Sequence, residues 1–109
     1  MFEAGHVSLQ LVSAIRPVVA AVRSHDANLA DQLQRAATSA ALNTAEGSRR
    51  SGRDAASRYR IAAGECAEAA TAVRIAVAWG HLDDAAAAAS LALADRLLAM
   101  LWRLRHPRR

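Results

Sequence analysis

Alanine occupies 29 of the 109 positions, and that abundance restricts the chain to helices before any motif is read. Alanine is the strongest intrinsic helix former. Valine and isoleucine are scattered, and no stretch alternates apolar with polar in the period of a half-buried strand. The expected fold class is all-α. Four amphipathic segments separated by short polar breaks predict an antiparallel up-down-up-down four-helix bundle, one domain over residues 1–109. Alanine also buries little area, at roughly 25 cal/mol per Å² of apolar surface removed from water. A core cored with it gains less than one cored with leucine, while small side chains let helices approach closely. Assembly of several copies would add buried area, so a homo-oligomer is expected.

The first helix is predicted over about 7–23, where Leu11, Ile15, Val18 and Val22 fall on one face. Pro17 interrupts this pattern; it predicts a kink or split near Ile15–Arg16, or a helix that begins at Pro17 itself. Asp26 is placed to cap a second helix over about 27–46, with Leu29, Leu33, Ala36, Ala40 and Thr44 as its buried stripe. Gly47 is positioned to end that helix in a left-handed cap. The third helix, about 53–79, carries a heptad seam of Ala56, Tyr59, Ala63, Cys66, Ala70, Val73 and Val77. Ile61, Ala72, Ile75 and Trp79 form an adjoining face for a second neighbour, and Gly80 stops the helix. In the fourth, about 83–105, Asp83 and Asp84 complement the dipole. Ala86, Ala89, Leu93, Leu97, Met100 and Leu104 make its stripe, and His106 and Pro107 end it.

The chemistry-bearing residues are sparse. Cys66 is the lone cysteine, so neither an intrachain disulfide nor a thiolate metal cluster is expected. It lies on an apolar seam, where cysteine is an inert small hydrophobe. Glu65 and Glu68 share a helix, but no histidine stands three residues after either of them, which disfavours a di-iron site there. No catalytic residue, metal or cofactor is predicted. No run of 18 uninterrupted apolar residues spans a membrane, and the first residues lack a signal peptide; a cytoplasmic location without membrane contact is expected.

Charge is the remaining signal. The net charge is +4, and all 14 basic residues are arginine. Arg49, Arg50, Arg53, Arg58 and Arg60 fall within twelve residues; Arg103, Arg105, Arg108 and Arg109, with His106, form a second patch. Such clusters can grip phosphates. They can equally pair locally, as Glu46 with Arg50, or complement a helix C-terminus. The only aromatic residue among the first cluster, Tyr59, is on the core seam, so base stacking is not expected there. Gly64 in mid-helix costs about 1 kcal/mol against alanine and points to close approach of a neighbouring helix. Asn43 and Glu46 read with it as structural polar ties.

The stretch Arg35-Ala36, Ser39, Asn43-Thr44-Ala45-Glu46-Gly47 and Arg50, followed by Ile61-Ala62-Ala63-Gly64-Glu65-Cys66-Ala67-Glu68, resembles the four-helix bundle family of 23S rRNA intervening-sequence proteins. Glu65 stands where the family has serine, and Thr44 where it has a bulky apolar residue. The resemblance implies a homopentameric, barrel-like ring with no catalytic residues to carry over. The family is also similar to the accessory variability determinant of diversity-generating retroelements, a basic pentamer that binds reverse transcriptase and RNA. The expected function is therefore a non-enzymatic homo-oligomer, likened to a pentamer, that binds RNA or a nucleic-acid-associated protein through arginine-rich surface. The alternative is a protein–protein scaffold without direct nucleic-acid binding.

Overall fold

Local chemistry sets most of the helix ends. The computed structural model describes residues 2–107 and contains α1 Glu3–Arg23, α2 Ala27–Ser48, α3 Gly52–Ala78 and α4 Asp84–Arg105. Asp26, in extended backbone, accepts the Leu29 N–H at 3.0 Å, and Asp83 accepts the Ala86 N–H at 2.7 Å. Each satisfies an amide that the first helical turn leaves free. After α3, Gly80 takes a left-handed φ of +79°. The His81 N–H then reaches the Ala76 carbonyl at 2.9 Å and the Gly80 N–H that of Val77 at 3.0 Å, the paired bonds of a Schellman end.

Three expectations about α1 and α2 are corrected. The first helix starts at Glu3, ahead of Val7, and already buries Ala4, Val7 and Ser8. Ser8 hides its hydroxyl by donating to the Gly5 carbonyl at 2.7 Å, so a polar letter sits on a core face. The helix then runs through Pro17 without a split and does not begin there. Pro17 is exposed, whereas Ile15 and Val18 on either side are buried; their burial outweighs the lost bond. Gly47 does not end α2 either. It lies buried within the helix, and Arg49 caps the end in right-handed geometry.

Helix α2 buries the expected stripe of Leu29, Leu33, Ala36, Ala40 and Thr44. Thr44 returns its hydroxyl to the Ala40 carbonyl at 2.8 Å. In α3 the seam from Tyr59 to Val73 is buried, but Ile61, Ile75 and Trp79 face outward, with only Ala72 of that adjoining face in the core. The α4 stripe holds at Leu97 and is half-buried at Leu93 and Met100, but elsewhere the buried line is shifted by one residue. Ala87, Ser90, Ala94, Leu97 and Leu101 are buried, while Ala86, Ala89 and Leu104 are exposed. The run Ala85–Ala89 offers no contrast between faces, and Ser90 conceals its hydroxyl against the Ala87 carbonyl at 3.0 Å.

Helices adjacent in sequence pack together, and α1 closes against α4. Short turns and cross-helix pairs make the neighbours antiparallel: Arg23 with Asp31, Arg58 with Asn43, Cys66 with Ala94. The bundle is 46 Å long and about half as wide. Its topology puts the start of α1, the α2–α3 turn and the end of α4 at one pole. The other two turns share the opposite pole, where the rings of His25 and His81 stack at 5.0 Å. Helices α1 and α4 are long and apolar enough to cross a membrane by length and composition alone, but Arg16 interrupts one and Asp95 and Arg96 the other.

Cys66 is fully buried, and its thiol points to the Ala94 carbonyl at 3.4 Å. Burial, with Asp95 nearby, pushes the thiol from 9.0 up to about 12. The folded chain thus keeps a proton that the unfolded chain releases, and this stabilisation is complete below pH 9 and lost as pH rises through 12. Stability should fall along that limb with a cysteine share of at most about 1.4 kcal/mol per pH unit. Urea titrations at successive pH values should show a shallower limb for Cys66→Ala; an identical limb would contradict the assignment.

Candidate nucleic-acid interface

The corner where α2 turns into α3 is held by two polar ladders. Asn43 donates its amide to the carbonyl and hydroxyl of Ser39, at 3.0 and 3.2 Å, and accepts from the Arg58 guanidinium at 3.4 Å. One turn further on, Arg50 donates through Nε and Nη2 to one Glu46 oxygen, at 3.0 and 2.8 Å, and through Nη1 to Asp54 at 3.3 Å. The hydrogen bonds from Arg50 hold the Glu46 carboxyl below its ordinary range, and Glu46 in turn raises Arg50. Both groups stay ionised. These bonds tie Asn43, Glu46 and Arg50 into the corner, and they occupy Arg50 and Arg58 locally.

Gly47 belongs to the same corner. A Cβ built on it would lie 2.7 Å from Cδ1 and 2.9 Å from Cζ of Tyr59, and nearer still to Cε1. The glycine is the seat for the Tyr59 ring. Gly64 behaves in the opposite way: nothing lies within 4 Å of its virtual Cβ, so no helix of this chain makes the predicted close approach. It is exposed on α3 beside Ala67, Glu68, Thr71 and Ile75, in a shallow groove with Gln32 of α2. Arg35 is exposed on α2 with Asp31, Gln34, Thr38 and Leu42.

The other arginines converge. Arg49 and Arg53 flank the α2–α3 turn, and Arg103 and Arg105 end α4 at the same pole. Arg53 and Arg105 line one groove together with Gly52, Leu104 and Pro107; Arg103 lines the next with Phe2 and Glu3. Arg60 is exposed two turns along α3. The acids of this pole are already engaged: Glu46 and Asp54 with Arg50, and Glu3 with Arg96 at 3.1 Å. Among the described residues, no acid pairs with Arg49, Arg53, Arg60, Arg103 or Arg105. The Nε of Arg105 is enclosed without a hydrogen-bond partner there. Two patches far apart in sequence thus form one electropositive pole; Arg108 and Arg109 lie outside the described residues. The far pole carries Asp26, Asp31, Asp83 and Asp84.

One residue of this pole escaped the sequence reading. Trp102 is 54% exposed and stacks on His106, centroids 4.2 Å apart. The signal for it in the sequence is an aromatic interleaved with arginines in Trp102-Arg103-Leu104-Arg105-His106. No group of three or more His, Cys, Asp or Glu side chains gathers to hold a metal among the described residues.

Comparison with known proteins agrees with this architecture. A crystal structure of a protein of unknown function from the S23 ribosomal protein family of Bacteroides thetaiotaomicron superposes with a TM-score of 0.86. The match covers 94% of this chain and 97% of that one at 15% identity, a likeness of fold. No curated protein matches the chain. The sequence profile of the 23S rRNA-intervening sequence protein family matches residues 3–103, a span that enters all four helices and includes the Asn43–Arg50 corner. The chain belongs to that family, the 23S rRNA-intervening sequence proteins.

Proposed function

We propose that this chain is a non-enzymatic helical bundle that binds RNA through its arginine pole and associates with copies of itself. The RNA reading is carried by the convergence of Arg49, Arg53, Arg103 and Arg105 on a pole whose acids are all engaged elsewhere. Unpaired guanidinium groups beside a helix turn release counterions when they meet phosphates. The family's name, tied to inserts in 23S rRNA, is consistent with such a partner. Binding of structured RNA should weaken steeply with salt. The triple variant Arg49→Ala, Arg53→Ala, Arg103→Ala should lower the slope of log K against log salt by about 2–3. Absence of binding at low ionic strength, or an unchanged slope, would sink the reading.

Self-association is supported by what the bundle leaves uncovered. Leu9 on α1 and Leu42 on α2 are 63% and 65% exposed; Leu42 lies with Arg35 and with Asp31, which is paired to Arg23, and Arg16 lines the neighbouring α1–α2 groove. Ile61 and Ile75 are exposed on α3 with Gly64, Glu65 and Glu68 between them. A mid-helix glycine open to solvent costs stability with no return inside the chain; a second copy packed against it supplies one. The two faces differ, and one is basic where the other is acidic, the arrangement of a heterologous contact that closes into a ring. We read that ring as a pentamer, by resemblance to the family. Light scattering at micromolar concentration should give a multiple of 11.6 kDa, reverting toward the monomer in Ile75→Asp. A monomeric wild type counts against it.

A further inference from the structure

We propose that the indole of Trp102 is a stacking platform for an unpaired nucleobase, so that the RNA held at the arginine pole is single-stranded where it meets the end of α4. This inference rests on the RNA reading above and narrows its substrate class. Trp102 stays more than half exposed although the His106 ring lies against it at an interplanar angle of 23°. His106 is itself fixed: its Nδ1 is 2.9 Å from the Trp102 carbonyl, a bond in which the protonated nitrogen donates. The ring pair is therefore an ordered surface rather than a loose side chain. Arg103 and Arg105 lie between the two ring residues in sequence, and Arg53 and Arg105 line one groove. Cations beside an exposed aromatic face are the combination that holds single strands, the arginines meeting phosphates and the ring meeting a base.

A continuous duplex does not use such a platform. Its bases are stacked on one another, and the A-form major groove is too deep and narrow for side chains to read. The contrast with Trp79 sharpens the choice. That indole is 72% exposed, but it shares its pole with Asp26, Asp83 and Asp84, which repel phosphate.

Trp79→Phe leaves Trp102 as the sole tryptophan and permits a fluorescence test in the full chain. The probes are an oligoadenylate single strand of about 12 nucleotides and a blunt RNA duplex of the same length. The single strand should quench Trp102 and the duplex should not. Trp102→Ala should weaken single-strand binding about tenfold with the salt slope unchanged, because a stack releases no counterions; Trp102→Phe should restore most of the loss. Equal binding of both RNAs without quenching, and without an effect of Trp102→Ala, overturns the platform and leaves the arginine reading standing. Failure to bind either RNA at low salt overturns both. A change in assembly mass in Trp102→Ala places the indole between copies of the chain and overturns the platform as well.

Discussion

Replacing Leu33 by alanine is expected to lower the free energy of unfolding by about 3 kcal/mol, within the range for emptying a fully buried leucine site. The core has few large side chains to lose. Leu11, Leu33, Leu97 and Leu101 are its fully buried leucines, and much of what surrounds them is alanine. Alanine has no rotamer with which to fill a void, so the cavity left by Leu33 would persist with little relaxation. Against a typical domain stability of about 5–15 kcal/mol, that is a large fraction. Urea unfolding at fixed protein concentration should show a lower midpoint with an unchanged slope. A loss below about 1 kcal/mol would mean that the site collapses, and the account of an alanine-lined core would fail. Leu42→Ala is the matched control. Leu42 is largely exposed within the chain, so its truncation should act on assembly mass and not on the unfolding of the isolated bundle.

The same composition explains which parts of the fold could be read from the sequence. On α1 and α2, leucine, isoleucine and valine alternate with polar groups at helical spacing, and every residue of the predicted stripes is buried. On α4 the signal fails. Ala85–Ala89 looks alike from every direction, and leucines occur on more than one face, so apart from Leu97 the predicted stripe runs one residue away from the buried one. Ser8 and Ser90 escaped because each returns its hydroxyl to its own helix, a bond that a residue pattern does not reveal. The candidate site divides in the same way. The ties among Glu46, Arg50 and Asp54 are local and follow from spacing. The meeting of Arg53 with Arg105 depends on how α4 returns alongside α3, so the two patches could be joined only once the topology was known.

Gly47→Ala is expected to destabilise the protein by about 2 kcal/mol, the cost of overpacking a filled site, although alanine is the better helix former by about 1 kcal/mol. The helical position has no left-handed φ to satisfy, so the cost arises elsewhere. The added methyl would fall among the ring carbons of Tyr59, a buried side chain that also packs near Phe2, 6.4 Å between ring centroids. For a chain of this length the midpoint of thermal unfolding should drop by roughly 10 °C. A second background separates this account from a backbone one. In Tyr59→Leu the ring is gone, and there Gly47→Ala should be neutral or stabilising, leaving a coupling energy of about 2 kcal/mol between the two positions. Equal losses from Gly47→Ala in both backgrounds would mean that the glycine answers to the backbone after all. Rescue by the smaller partner would show that one residue of the Asn43–Arg50 motif exists to seat an aromatic ring supplied by the next helix.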